Sequence, residues 1–452
     1  MLKLLLVCFS STLVFASNTN GGEIHDITFT WVGFLSLFYF VATEEKYHID
    51  KSKPALIMGT FIFIIVAFYY AMNYPQDMSA VHSQAQHLIL EIAEIFFFLF
   101  VAMTYIETMI YMKIFEKLKH NLVSKGMTYR QLFWVTGFLA FFISPIADNL
   151  TTALILSTVL ITIEQKKKEF LVPGAINIVV AANAGGAWSP FGDITTLMVW
   201  TSGKGTFVDF LFLFPASILG YLVTAFLLSK IVPTMKPEIN ISNEKVPVMA
   251  KGAKVVMALG IFTIFSAVIS HQVLHLPAMW GMMFGLSLLK LYDYKLKKQY
   301  GLSFNVFQSM SKIENNTLMF FFGILAAVGA LYFIGWLALA AVVYDPSVLG
   351  STWSNIGVGF LSAIVDNVPV MSAVLKANPT MGLDQWMLVT LTAGVGGSLI
   401  SFGSAAGVGV MGKLPGIYTF GSHMKYSWMV FLGYIVSCIV WYTQYQLFGI
   451  GV

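Results

Sequence analysis

The chain has 452 residues, of which 57% are hydrophobic and only 11% are charged, and its mean hydropathy is +0.77. These values are typical of a protein that crosses the membrane many times, and they argue against a soluble enzyme. The net charge is +4, but the basic residues are scattered over loops without interleaved aromatic residues, so no nucleic-acid partner is indicated. The 2 cysteines lie in apolar segments and predict neither a disulfide framework nor a zinc or iron-sulfur site. We expect no cofactor.

The N-terminal segment has the features of a signal peptide. Lys3 precedes a short apolar core, and the small residues Val14 and Ala16 form an acceptable cleavage pair. We predict a signal peptide over residues 1–16, with an uncleaved short anchor as the alternative. Cleavage would leave the mature N-terminus outside the cytoplasm.

Ten further apolar segments are candidate membrane crossings. They run over about 27–43, 54–72, 88–112, 171–200, 207–229, 255–270, 278–292, 316–343, 385–412 and 427–447. Nearly all of the 26 Lys and Arg residues then fall in cytoplasmic loops, as the positive-inside rule requires. The sequence therefore predicts an all-α, multi-pass protein of the cell inner membrane, surrounded by the lipid bilayer.

Two more apolar segments, 129–163 and 353–375, each carry an Asp-Asn pair. Basic clusters bracket the first segment, whereas lysine-poor loops flank the second. We predict that both are re-entrant helical hairpins, entered from the cytoplasm and from outside respectively, with Asp148-Asn149 and Asp366-Asn367 at their tips. Backbone that is not helical is tolerated at that depth only when it is buried in protein or lines a cavity. Two ordinary kinked crossings are the alternative.

Each of these segments is followed by a helix that glycines interrupt. The pattern Gly-Gly-x-x-x-x-Phe-Gly begins at Gly185 and again at Gly396, within predicted broken helices over 171–200 and 385–412. Unwound backbone at corresponding positions of two halves is typical of a transporter binding site. We predict an inverted-repeat transporter. Its first half spans 27–229, a cytoplasmic linker spans 230–254, and its second half spans 255–452.

The two Asp-Asn pairs offer a set of oxygen ligands for a cation. Carboxylate and amide oxygens of Asp148, Asn149, Asp366 and Asn367 suit a hard ion such as Na⁺ or Li⁺. Further oxygens are expected from Thr151, Thr152, Asp193, Thr195, Thr196, Ser398 and Ser401. A proton and a cation would compete for the carboxylates, which suffices for exchange if only the loaded carrier moves. For a single Asp-Asn pair, capping of a broken helix is the alternative.

A second polar group lies along one helix face at His87, Glu91 and Glu94, spaced by four and three residues. It predicts either a proton-access or gating cluster, since His titrates near neutral pH, or structural pairing within the helix bundle.

The stretches Ser144 to Ala153, Asn177 to Trp200, Asp366 to Ser372 and Gly394 to Gly412 resemble those of the NhaD-type sodium/proton antiporters of the ion transporter superfamily. The resemblance implies that ions are handled at Asp148, Asn149, Asn183, Asp193, Thr195, Asp366 and Asn367, and it links the positions of His87 and Glu94 to activity. It also implies a homodimer that exports Na⁺ or Li⁺ in exchange for protons by alternating access. The two half-sites are not equivalent, because Ser404 stands where the first half has Asp193.

Three alternatives remain on sequence grounds. A sodium-coupled dicarboxylate or other anion transporter of the same fold is disfavoured because the tip carboxylates would repel an anion. A membrane-embedded metalloprotease would need a HExxH-type pattern, which the sequence lacks. A scaffold that transports nothing would give paired buried carboxylates no purpose.

Overall fold

The computed structural model describes residues 52–123, 126–237, 247–301, 309–311 and 315–449. Every regular element within these ranges is a helix. The predicted signal peptide over 1–16 and the predicted crossing over 27–43 lie outside the described residues, as does the middle of the predicted linker.

The helices follow one another along the chain with short connections. In order they are α1 Ser52–Asn73, α2 Met78–Tyr111, α3 Ile114–Val123, α4 Tyr129–Ala147, α5 Asn149–Ile163, α6 Lys168–Gly186, α7 Ile194–Thr201, α8 Phe207–Leu211, α9 Phe214–Ser229, α10 Ala253–Gln272, α11 Ala278–Tyr300, α12 Asn315–Phe333, α13 Trp336–Val342, α14 Gly350–Val365, α15 Asn367–Ala377, α16 Leu383–Gly396, α17 Ala405–Lys413, α18 Phe420–Met424 and α19 Ser427–Trp441. A π-helical turn, Tyr442–Leu447, continues α19.

Eight helical segments within the described ranges are long and apolar enough to cross a membrane. They contain α1, α2, α4, α6, α8 with α9, α10, α12, and α19 with its π-helical turn. This confirms the prediction of an all-α polytopic membrane protein. Helix α11, a predicted crossing, is not among the eight, and its second half carries Lys290, Asp293, Lys295, Lys297 and Lys298.

The chain breaks at both Asp-Asn pairs. Helix α4 ends and α5 begins around Asp148, whose φ is 55°, and α14 and α15 meet at Asp366, whose φ is 100°. Pro145 lies in the last turn of α4 and removes a backbone donor there. The path of these helix pairs through a membrane, and hence their re-entrant character, stays a prediction.

The described chain divides into two compact units. The first comprises the described residues of Met1–Leu90, together with Met319–Ser354 and Ser372–Met381. Within it, α1 and α12 approach closely because Gly59 and Gly323 have no side chain: a Cβ atom on Gly59 would collide with the backbone of Gly323. Small residues permit such close backbone packing between membrane helices.

The second unit comprises the described residues of Glu91–Leu318, Asn355–Met371 and Gly382–Val452, and it contains both glycine breaks. Helices α9 and α19 cross within it at Gly220 and Gly433. A Cβ atom on Gly220 would lie 2.6 Å from the carbonyl oxygen of Gly433. Thr224, one turn after Gly220, donates a 3.3 Å hydrogen bond to the carbonyl oxygen of Met429 on α19.

Two matched hydrogen bonds hold each Asp-Asn break beside its glycine break. Ser144 donates to the carbonyl oxygen of Ala182 at 2.6 Å, and Ser362 donates to that of Ala393 at 2.7 Å. Each serine stands four residues before the Asp of its pair, and each carbonyl stands three residues before its Gly-Gly pair. Both breaks are therefore positioned by the same local construction.

Candidate ion-binding site

Asp148 is fixed by the helix that it starts. As the residue that caps α5, it accepts hydrogen bonds from the backbone N–H and the hydroxyl of Thr151, both at 2.8 Å. The positive end of the helix dipole favours a negative charge there. The Thr151 hydroxyl is thus engaged with Asp148, whose half-buried carboxylate has further acceptor capacity.

Asn183 joins the two halves of the chain. The side-chain oxygen of Asn183 accepts a 3.0 Å hydrogen bond from the side-chain amide of Asn149. The side-chain nitrogen of Asn183 donates to the hydroxyls of Ser398 and Ser404, both at 2.8 Å. Asn183 is fully buried. Both amide hydrogens are used, so the side chain acts as a connector between the first Asp-Asn break and the second glycine break.

Asp193 makes the second connection between the halves. It caps α7, and its carboxylate accepts a 2.7 Å hydrogen bond from the amide of Asn367 in the second Asp-Asn pair. It is 4% exposed and lies within electrostatic range of the carboxylates of Asp148 and Asp366. Thr196 is occupied by the backbone of Asp193, since its hydroxyl donates to the Asp193 carbonyl oxygen at 2.7 Å.

Three hydroxyls of the predicted set remain available. Thr152, Thr195 and Ser401 are fully buried, and their hydroxyl oxygens have no hydrogen-bond partner among the described residues. A buried polar group without a partner costs about 1–3 kcal/mol. Each of the three lies in a break or in the first helical turn after one, and a hydroxyl oxygen is a suitable ligand for a hard cation.

The third carboxylate of the predicted set is also buried. Asp366 is 2% exposed and completes a set of three carboxylates drawn from both halves of the chain. Within the described part of the chain, no three His, Cys, Asp or Glu residues are grouped as a metal cluster. The negative charges of Asp148 and Asp366 are near enough to repel a negative charge on Asp193.

The predicted cluster of His87, Glu91 and Glu94 lies on α2. His87 is exposed, whereas both glutamates are half-buried. The hydrogen bonds of the site described above do not involve these three residues. Their role in proton access stays a hypothesis.

Two features of the site were missed by sequence reasoning. The sequence showed that Ser404 replaces Asp193, but not that Ser404 accepts a hydrogen bond from Asn183. The sequence also did not show that the backbone carbonyls of Ser398 and Leu399 contact His423 and Ser427. Alignment of the two Gly-Gly-x-x-x-x-Phe-Gly patterns places Ser404 opposite Asp193 and so could have indicated Ser404 as a site residue. No sequence motif marks His423.

Comparison with known proteins places the chain among transporters. A family model described as "Citrate transporter" matches residues 38–394. The Na(+)/H(+) antiporter NhaD of Vibrio cholerae is 41% identical over 97% of this chain and 97% of that protein. NhaD of Vibrio parahaemolyticus is 45% identical over 85% of this chain and 97% of its own length. Sodium/proton antiporter 1 of Arabidopsis thaliana is 31% identical over 89% of this chain and 70% of its own length.

Proposed function

This chain belongs to the transporter family that the citrate-transporter model describes and, within it, to the NhaD sodium/proton antiporters, and we propose that it exchanges Na⁺ for H⁺ at the two Asp-Asn breaks. It is a membrane transporter and not an enzyme. The observation that carries the location of the site is the 2.7 Å hydrogen bond from the Asn367 amide to the buried Asp193 carboxylate, which joins the second Asp-Asn pair to the first half of the chain.

The coupling follows from the chemistry of these carboxylates. Several negative charges buried close together must be neutralised, and either protons or Na⁺ can do so. A carboxylate oxygen that carries a proton is a poor ligand for Na⁺, so the two cargoes exclude one another. Loading with Na⁺ releases protons, and protonation releases Na⁺. Three carboxylates allow more than one proton for each Na⁺.

We propose that Asp148 and Asp366 bind the cation, with Asp193, Asn149 and Asn367 around it. The buried hydroxyls of Thr152, Thr195 and Ser401 complete its oxygen shell. Hydrogen bonds between the halves, through Asn183 and through Asp193, support this assignment because they bring both breaks together. Access from either side of the membrane requires that these connections rearrange, which is the alternating-access step.

Further parts of the proposal rest on family membership. Na⁺ or Li⁺ leaves the cytoplasm while protons enter, and the protein is a homodimer in the cell inner membrane whose halves form an inverted repeat. A sodium-coupled dicarboxylate transporter is the alternative that the name of the family model favours. Three carboxylates in the site disfavour it, since they would repel an anionic substrate.

The test is collapse of a pH gradient in inside-out membrane vesicles on addition of NaCl, LiCl, KCl or sodium succinate. We expect collapse with the sodium and lithium salts, and loss of that response in Asp148→Asn, which cannot exchange a proton for a cation. Asp345→Asn is the matched control, because Asp345 is exposed and its carboxylate, among the described residues, accepts hydrogen bonds only from Ser347. If Asp148→Asn still exchanges Na⁺ for protons, the ion binds at another place in the protein. Na⁺-dependent uptake of labelled succinate would establish that the protein is a sodium-coupled dicarboxylate transporter.

A further inference from the structure

His423 is a fully buried histidine in α18, a short helix outside the predicted set of site residues. Its Nε2 atom lies 3.0 Å from the carbonyl oxygen of Ser398, in the second glycine break. Its Nδ1 atom lies 2.7 Å from the hydroxyl of Tyr418, which is also buried.

These two contacts fix the positions of the protons. A carbonyl oxygen only accepts hydrogen bonds, so the Nε2 atom must carry a hydrogen. In the neutral imidazole, Nδ1 is then an acceptor, and the Tyr418 hydroxyl donates to it. Tyr418 thereby selects the tautomer of His423 that can hold Ser398.

A second side chain holds the next carbonyl of the same break. Ser427, at the start of α19, donates a 2.8 Å hydrogen bond to the carbonyl oxygen of Leu399. Two successive carbonyls are thus turned toward α18 and α19. The other side of this backbone presents the hydroxyl of Ser398, which accepts the 2.8 Å hydrogen bond from Asn183.

The first half of the chain lacks this construction. The crossing of α9 and α19 pairs Gly220 with Gly433, and in that register Phe214 stands where the second half has Ser427, and Phe210 where it has His423. Phe214 packs instead against Trp188 of the first break, with ring centroids 5.2 Å apart. At the position of Phe214, the second half thus has a side chain that donates a hydrogen bond to a backbone carbonyl of its break, that of Leu399.

We propose that His423, oriented by Tyr418, is a positioning residue of the ion site: it holds the Ser398 carbonyl and thereby sets the Ser398 hydroxyl against Asn183. His423 does not bind the ion itself. The expected effect of His423 on transport rests on the ion site proposed above. The expected effect of His423 on the backbone of the second break does not depend on transport.

Three variants separate the contacts. His423→Phe places the first-half residue at this position and removes both hydrogen bonds. His423→Gln keeps a side-chain N–H that can reach Ser398, and Tyr418→Phe removes only the donor that selects the tautomer. His271→Gln is the matched control, because His271 also contacts a backbone carbonyl, that of Trp200, at 3.2 Å, near the end of α7 remote from Asp193.

The first readout is hydrogen-deuterium exchange of the purified full chain, which needs no transport. We expect faster exchange at residues 397–404 in His423→Phe, an intermediate effect in Tyr418→Phe, and near wild-type exchange in His423→Gln. Exchange at 187–193 should not change in any of them. Unchanged exchange at 397–404 in His423→Phe, or equal effects of His423→Gln and His423→Phe, would overturn the proposal.

The second readout is the apparent KM for Na⁺ in vesicles, corrected for the amount of protein in the membrane. His423→Phe should raise it by about tenfold, the factor that corresponds to loss of one or two net hydrogen bonds, and His423→Gln should recover most of it. A lower maximal rate with an unchanged KM would show a role in folding alone and refute positioning. If the wild-type protein does not exchange cations for protons, the proposed function is refuted. The hydrogen-deuterium exchange data would then still decide whether His423 positions the backbone of the second break.

Discussion

Replacement of Asn183 tests the connection between the two halves. Asn183→Ala removes three hydrogen bonds, to Asn149 at 3.0 Å and to Ser398 and Ser404 at 2.8 Å each. At about 1 kcal/mol for each net hydrogen bond, the loss is about 3 kcal/mol. A tenfold change in affinity corresponds to about 1.4 kcal/mol. If these bonds form fully only around the bound ion, the apparent KM for Na⁺ rises by up to about 100-fold.

The assay is the NaCl titration of pH-gradient collapse in inside-out vesicles, with the thermal stability of the purified protein measured in parallel. We expect at least about a fivefold higher KM, which corresponds to the loss of one net hydrogen bond of about 1 kcal/mol from the loaded site. Water that enters the space left by the side chain would restore part of the lost stability. It would not restore the direct hydrogen bonds between the two halves.

Asn177→Ala is the matched control for this experiment. Asn177 is also fully buried on α6, but its amide donates to the carbonyl oxygen of Phe133, at 2.7 Å, away from both breaks. The Asn177→Ala variant should lower the thermal stability of the protein but leave the KM for Na⁺ within about twofold of wild type, because only one net hydrogen bond outside the site is lost. A wild-type KM in Asn183→Ala, or an equal increase in both variants, would refute the reasoning.

Two further predictions concern stability. Tyr129 donates a 2.6 Å hydrogen bond to Glu164, and this bond, with backbone N–H donors, lowers the pKa of Glu164 from its usual value. A lowered pKa stabilises the folded state at pH values above the unfolded pKa, and this stabilisation is lost as pH falls. Tyr129→Phe should therefore lower the free energy of unfolding by less than about 1 kcal/mol at about pH 7, and by less still below about pH 4. A difference from wild type that grows in acid would contradict this. Gly220→Ala should cost about 1–3 kcal/mol because its Cβ atom would collide with α19, whereas Gly357→Ala, with open space around it in α14, should not destabilise; equal Tm changes would refute the close-packing argument.

Much of the helical architecture was predictable because its signals are local. A carboxylate between apolar arms, as at Asp148 and Asp366, predicts interrupted helices, and the helices end at these residues. The long apolar segments likewise predicted a polytopic membrane protein. The membrane path of the broken helices depends on the bilayer and stays a prediction.

The partners within the site were not predictable from the same signals. Asn183 contacts Ser404 across 221 positions of sequence, and this pairing depends on how the two glycine breaks pack. His423 lies in a short polar stretch near Lys413 and Lys425, which by composition alone resembles an exposed loop. Its burial results from the tertiary packing of α18 against the second break, for which the chain carries no local pattern.

The backbone at the two tips has a consequence for protein engineering. Asp148 and Asp366 adopt φ values of 55° and 100°, a region that favours glycine, so each costs about 1–3 kcal/mol in the folded protein. A selection for heat resistance alone could therefore favour glycine at two positions that are proposed to bind the ion. Thermostabilised variants of this transporter should therefore be screened for ion exchange in the same round, because glycine at either tip would relieve backbone strain and remove a proposed ion ligand.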